Sequence, residues 1–374
     1  MTQEWTFSAV DTLFFKESRP IESVGGSQLS SLFPPPARTV IGAIRTAIGE
    51  AHGGDWTGYK NDPQHPLRQI MGTPEALGPL QFCGPYLMNQ GKRLFPLPLN
   101  YLESKDGQTR LLPAPDAVFC DLGRVQLPVK QNTKLEGAKP KENAFISAEA
   151  LAQFLGGNAI PAEQIFAAHQ LFAQEERLGI ARDNRKRVTG DGLLYQTRHI
   201  RPISSKEVNL QIGIKITGLD AGPLPENGMV RLGAEGRLAA WQRRDSKGLP
   251  MIQKPANATG LLLMLLTPAR FSAGWCPDGF VRQDEGRREV WIGEIAGIRL
   301  KLISCVVGKP QREGGWDLAG HAPRDLLSLV PAGSCYFCEL VDSKDLQHAQ
   351  KTLHGLQIGQ DTEYGRGELA VGYW

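Results

Sequence analysis

The sequence predicts an α+β fold, and three observations carry that expectation. Residues 207–217 alternate Val208, Leu210, Ile212, Ile214 and Ile216 with polar or small residues, the period of a half-buried strand. Residues 37–48 instead set Val40, Ile41, Ile44, Ala47 and Ile48 at helical spacing. The second half then runs strand, hairpin, strand, helix, strand, an order that packs helices against antiparallel sheets.

In chain order, residues 5–15 are aromatic and β-branched with partial period-two alternation and predict the first strand. Pro34-Pro35-Pro36 leads rigidly into the helix at 37–48, where Arg38 and Arg45, seven apart, share one side near its start. Thr39, Gly42 and Thr46 add a small-residue stripe that permits close backbone approach. This pattern fits either a core helix with two solvated arginines or a phosphate-contacting face near a helix N-terminus. Residues 52–142 are rich in Gly and Pro, with proline-interrupted extended passes at 94–99 and 111–115 and a loop at 137–143. Residues 147–155 form a helix with Ser147 as N-cap and Gly156 past its end.

Residues 177–201 hold the richest basic stretch: Arg177, Arg182, Arg185, Lys186, Arg187, Arg198, His199 and Arg201 against few acids, with Tyr195 among them. Leu193, Tyr195, Thr197 and His199 alternate as a strand, so 182–187 is its preceding loop or hairpin arm. Such a loop is either a solvated surface or a site where guanidinium groups pair with phosphates while Tyr195 stacks on an unpaired base. Beyond the strand at 207–217, residues 229–232 and 237–241 predict a hairpin and the apolar run 260–266 a buried strand. A strand at 334–341 precedes a helix at 343–353 with Leu346, Ala349 and Leu353 inward. Residues 359–374 close the sequence with a glycine-flanked polar loop and an apolar strand. There Gly359, Gly365 and Gly367 permit positive φ and leave N–H groups uncovered around Arg366, with Thr362 and Tyr364 in the same loop. Glycines before a strand also serve as plain turns.

Composition bounds the rest. A chain of 374 residues suffices for two domains, and 42 Gly with 26 Pro imply many turns and long connections. A net charge of +3 is low for a freestanding nucleic-acid binder and suits a local basic groove on a mixed surface. Six cysteines do not read as a disulfide framework, no signal peptide precedes Trp5, and the run at 260–266 is too short to cross a bilayer, so a cytoplasmic location is expected.

Catalytic signals are lacking. The seven histidines are scattered, and there is no phosphate-loop lysine motif or zinc-protease helix. Cys335 and Cys338 have metal-type spacing, but no second pair completes four ligands and the two positions diverge along a strand, so they read as core cysteines. Gly365-Arg366-Gly367 precedes a strand rather than a helix and is not a dinucleotide fingerprint. We expect no metal, no cofactor and no enzymatic activity.

Residues 11–20, Asp-Thr-Leu-Phe-Phe-Lys-Glu-Ser-Arg-Pro, and the segment from Phe33 to Arg45 resemble the RAMP (repeat-associated mysterious protein) family of CRISPR systems. The similarity extends through Leu178-Gly-Ile-Ala-Arg-Asp183, residues 192–195, 232–239, 267–277, 314–317 and 331–334 to the C-terminal glycine loop, in the family's order. Within that family the chain is similar to the subunit of the type III-B Cmr complex that lies beside the large polymerase-like subunit at the guide RNA 5′ end. The resemblance implies tandem ferredoxin-like (RNA-recognition-motif-like) domains with insertions. These would be residues 1–200 with an insertion at about 52–142, and residues 201–374 ending in the glycine loop and strand.

It also implies a non-catalytic subunit that holds the 5′ repeat-derived tag of the guide RNA and docks on the large subunit, with a neighbouring backbone RAMP subunit on its other side. The RNA-binding residues would be Arg38, Thr39, Gly42, Arg45, Arg182, Arg185, Lys186, Arg187, Tyr195, Arg198, Gly359, Thr362, Tyr364, Gly365, Arg366 and Gly367, with both chain ends forming one groove. A hairpin at 182–195 would press against the guide. Some family members instead cleave repeat RNA without metal, using a histidine. Here no histidine precedes His52 in the first strand and helix, which argues against that alternative. A purely structural assembly adaptor is the other alternative.

Overall fold

The computed structural model describes residues 2–17, 28–183, 188–220, 222–317, 320–342 and 344–374. The chain forms two compact units of interleaved sequence. One comprises Met1–Lys92, Ala168–Ser246 and Arg312–Leu327; the other comprises Arg93–Ala167, Lys247–Gln311 and Ser328–Trp374.

The first unit is built on an antiparallel sheet in the order Asn227–Arg231, Leu238–Asp245, Gln3–Ala9, Leu210–Thr217, Gln81–Asn89. Trp5 lies opposite both Ile214 and Arg243, and its fully buried ring stacks on Trp241 with centroids 4.5 Å apart. The expected first strand stops at Ala9. The following segment leaves the sheet, and Leu13 exchanges two backbone hydrogen bonds of 2.8 Å with Ile200. The helix Ala37–Ala51 buries Val40, Ile41, Ile44, Ala47 and Ile48, the positions that its spacing predicts. Each such aliphatic side chain contributes roughly 1.5–3 kcal/mol on burial.

The basic stretch forms a hairpin of two long strands, Phe172–Asp183 and Val188–Pro202, paired in one register from Phe172 opposite Pro202 to Ile180 opposite Leu194 and, after a shift at Ile180/Arg182, from Arg182 opposite Thr189 to Asp183 opposite Val188. It is far longer than the strand expected from residue 193. Gly179, Gly190 and Gly192 interrupt the alternation by which a strand is recognised.

In the second unit a six-stranded antiparallel sheet runs Val281–Asp284, Glu289–Ile295, Ile298–Val306, Cys335–Leu340, Leu261–Leu265, Leu369–Tyr373. Every residue of Leu261–Leu265 is buried. Ser147 caps the helix Ala148–Leu155 by accepting from the Ala150 N–H. That helix lies directly on the terminal strand, since a Cβ at Gly372 would fall 2.4 Å from the Leu155 carbonyl oxygen. The last helix is Leu346–Leu353 with Asp345 as N-cap, three residues later than expected; Ser343 lies outside the described residues. A smaller sheet, Pro128–Lys130, Gly107–Pro113, Tyr101–Ser104, Lys139–Pro140, belongs to the same unit, as does the hairpin Val118–Cys120 with Gly123–Val125.

This division differs from a single cut near residue 200. Leu210–Thr217 and Leu238–Asp245 flank Gln3–Ala9 and so complete the N-terminal sheet, a long-range pairing that no local pattern encodes. No helix among the described residues is long and apolar enough to cross a membrane.

Candidate nucleic-acid interface

The expected contact residues fall into three clusters, two in the first unit and one in the second. The first lies on the helix Ala37–Ala51, which has Pro36 at its N-cap position, no side-chain cap bond and no acidic residue in its first turn. Arg38 and Thr39 are half-buried, while Gly42 is exposed with nothing within 4 Å of where a Cβ would sit. A mid-helix glycine costs about 1 kcal/mol relative to alanine. Among the described residues nothing packs into the space where a Gly42 side chain would sit. Arg45 is turned inward: its Nη2 donates to Tyr59 Oη and to the Thr73 carbonyl, each at 2.5 Å. Tyr59 in turn donates to the Gly72 carbonyl at 3.0 Å, and burial pushes its phenol above the usual range. Arg45 therefore fastens the helix to the segment that follows it.

The second cluster is the hairpin. Its base is not the acid-poor surface that the sequence suggests. Arg177 donates to Glu175 at 2.8 Å and to Asp11 at 3.1 Å; Arg201 donates to Asp11 at 2.9 Å and pairs with Glu175. Hydrogen bonds from Arg177 and Arg201 hold the Asp11 and Glu175 carboxyls below the ordinary carboxylate range. Arg198 pairs with Glu176 at 3.1 Å. Tyr195 sits opposite Gly179, and a Cβ there would meet its ring at 2.3 Å, so the ring lies across the neighbouring strand. Arg182 is in the strand Phe172–Asp183 opposite Thr189. Arg185, Lys186 and Arg187 lie outside the described residues.

The third cluster is the glycine loop. Gly359, Gly365 and Gly367 do take positive φ, at 88°, 85° and 73°. Yet the N–H groups of Gly365 and Gly367 are not left uncovered: they donate to the Thr362 and Pro268 carbonyls at 2.9 and 3.0 Å. Close packing demands the glycines, because a Cβ would fall 1.9 Å from the Ile358 oxygen at Gly367 and 2.4 Å from the Arg270 oxygen at Gly359. Tyr364 and Arg366 are buried, Thr362 half-buried. Arg366 and Arg270 both donate to Asp361 Oδ2 at 2.9 Å. Nearby, Arg93 makes a two-point pair with the buried Glu368.

Several contributors escaped sequence reading. Arg270, 38% exposed, anchors the glycine loop, and its signal was the Pro-Ala-Arg-Phe run at 268–271. His199 comes within 3.1 Å of Thr12, beside the first strand, although it is 187 residues away in sequence. It is fully buried, stacks on Phe14, and has Thr197 and Glu235 at 3.1 Å from Nε2. Burial foremost, with Arg237, pushes its pKa down. A ring so enclosed has no route to an RNA hydroxyl. Cys335 and Cys338 are buried in their strand, and burial pushes the Cys335 thiol up to about 12. Among the described residues no group of three or more His, Cys, Asp or Glu side chains is placed to share a metal ion.

A family profile, CRISPR-associated protein (Cas_Cmr3), matches residues 5–374. The class is thus that of a CRISPR-associated protein. The chain belongs to the Cmr3 family and is a subunit of a Cmr complex. Similar chains occur in solved structures of the Type III-B Cmr-beta. One is bound to cognate target RNA and AMPPnP (state 1), with 14% identity, TM-score 0.49, and coverage of 90% of this chain and 86% of that one. Another is bound to cognate target RNA, with 14% identity, TM-score 0.49, and coverage of 98% and 96%. A comparison with curated protein sequences finds no match.

Proposed function

We propose that this chain is a non-catalytic RNA-binding subunit of a cytoplasmic type III-B ribonucleoprotein in antiviral defence. It holds the repeat-derived 5′ tag of the guide RNA and docks on the large polymerase-like subunit, with a backbone RAMP subunit as its other neighbour. Membership of the Cmr3 family over nearly the whole chain carries this reading. The Gly42 opening next to Arg38, on a helix whose N-terminus no side chain caps, supports it at residue level. We read the two antiparallel sheets as ferredoxin-like cores. RNA would be met by three elements. Arg38, Thr39 and Gly42 admit a phosphate close to the helix backbone. Arg182, Arg185, Lys186 and Arg187 supply guanidinium and ammonium groups, joined by Tyr195 and Arg198 of the same basic stretch. The glycine loop contributes Thr362 and Gly359 from its surface, while Tyr364, Gly365, Arg366 and Gly367 fix its shape and Arg45 fixes the helix. Cleavage and nucleotide chemistry belong to the partner.

The test is to incubate the purified chain with repeat RNA in chelator. The reading expects binding without cleavage, and a discrete product ending in a cyclic phosphate contradicts it.

A further inference from the structure

The base of the basic hairpin borders a cavity of about 240 Å3. It opens where the strand Gln3–Ala9 ends, beside the last residues of Val188–Pro202 and the first of Leu210–Thr217. Val10 and Pro202 give it apolar walls, and Asp11, Arg201, Ser204 and Asn209 give it hydrogen-bonding groups. The volume is below the roughly 300–1,000 Å3 of sites for drug-sized ligands and suits one small ring system. Arg201 and Asp11 are 45% and 47% exposed, so both can be reached from outside.

Charge narrows the ligand by elimination. Asp11 already faces guanidinium groups from three segments: Arg177 at 3.1 Å, Arg201 at 2.9 Å and Arg237 at 3.6 Å. A further cation is therefore repelled. A phosphate is no better placed, because Asp11 is itself negative and Glu175 and Glu235 hold the same arginines from their other side. Hydrogen bonds from Arg177, then Arg201, hold the Asp11 carboxyl below the ordinary carboxylate range, so it stays an acceptor at neutral pH. The cavity is left for a neutral ring with hydrogen-bonding edges. Each Asp11 oxygen accepts from one arginine, and a carboxylate has about four acceptor sites, so each oxygen keeps one to offer. Two adjacent acceptors call for two adjacent N–H donors. Among the RNA bases only guanine carries these on its Watson–Crick edge, at N1 and N2; adenine and cytosine set a donor beside an acceptor, and uracil has a single N–H. Ser204 and Asn209 supply the donors that the guanine O6 requires.

We propose that this cavity takes one unpaired guanine base, read by Asp11 and walled by Val10 and Pro202. Arg177, Arg201 and Arg237 act through Asp11, as positioning residues that fix its two oxygens. The inference deepens the RNA-binding reading of the chain and rests on it for the source of the base. A free guanine nucleoside is the other source of the same chemistry.

The test measures binding of the purified full chain to single-stranded uridine hexamers that carry one central guanine, inosine, adenine or cytosine. Inosine lacks only the 2-amino group, so that comparison needs no variant. The series is repeated with Asp11→Asn and with Val10→Trp, which fills the cavity from an exposed position, and urea midpoints check that each variant folds. The proposal expects the guanine hexamer to bind about tenfold tighter than the other three, and both variants to erase the difference. Equal wild-type affinity for guanine and inosine overturns it, as does a guanine preference that survives in either folded variant. If no hexamer binds, the RNA-holding function fails instead, and ligand-observed NMR with guanosine and inosine decides the site. Wild-type contact with guanosine alone then keeps the cavity as a nucleoside site, and contact with neither, or with both alike, overturns it as well.

Discussion

Arg366 donates to Asp361 Oδ2 at 2.9 Å while itself only 2% exposed. The same carboxylate oxygen accepts from Arg270, also at 2.9 Å. A residue whose glycine neighbours suggest an anion ligand is thus an internal strut that closes its own loop. Truncating one partner of a buried pair typically costs about 3–5 kcal/mol. Arg270 remains to hold Asp361, so Arg366→Ala should fall at the lower end of that range. Urea denaturation of the free chain measures this, and an unchanged midpoint contradicts the strut.

Gly367→Ala should also destabilise, by roughly 3 kcal/mol or more. The substitution forces a side chain into a φ of 73° and sets a Cβ 1.9 Å from the Ile358 oxygen. Gly42→Ala should behave oppositely in the same assay and gain up to about 1 kcal/mol, because the helix there has open space.

RNA binding separates these two glycines further. Gly42→Ala should weaken guide retention despite the gain in stability, since a methyl group intrudes where the phosphate would approach. Arg38→Ala should weaken it as well and lower the salt slope by about 0.7 for one lost phosphate contact on a single strand. Filter binding across a salt series checks both; equal affinity and slope in wild type and Arg38→Ala would place Arg38 outside the interface.

Acid should loosen the fold through the half-buried His354 and the buried His199. Burial is the largest cause holding His354 below its ordinary 6.5, and its Nδ1 accepts from the Val371 N–H at 3.0 Å. His199 is shifted the same way. With the folded pKa depressed, the unfolded chain binds the extra proton. Stability is therefore full above about 6.5 and declines as pH falls below it, by at most about 1.4 kcal/mol per pH unit per histidine. Urea midpoints at several pH values should show this decline, and His354→Gln should flatten part of it.

Thiol labelling offers an independent check on the core. Cys335 and Cys338 are buried, whereas Cys83 and Cys120 are partly exposed. Native protein should react at the latter pair while Cys335 and Cys338 stay unmodified until denaturant is added, as detected by peptide mass.

Local pattern made much of this fold legible. The alternation at Val208–Ile216, the helical spacing from Val40 to Ile48 and the Ser147 cap each mark an element the structure contains. What failed was whatever depends on the opposite partner. Trp5 meets Ile214 and Trp241 across more than two hundred residues, so the first strand's sheet could not be read from either segment. The arginines at 198 and 201 look uncompensated along the chain because their carboxylates sit on the facing strand and at Asp11, and Arg177 adds Asp11 to its near neighbour Glu175. Gly365 and Gly367 announce positive φ, but only the carbonyls of Thr362 and Pro268 show that their N–H groups are already used.

The most direct test of the guide-holding role is to purify the complex from its native host through this chain and sequence the RNA that comes with it. The account predicts guide RNAs with one uniform repeat-derived 5′ end, depleted when Arg38→Ala replaces the wild-type chain. Complexes that carry no RNA, or RNAs with ragged 5′ ends, would contradict it.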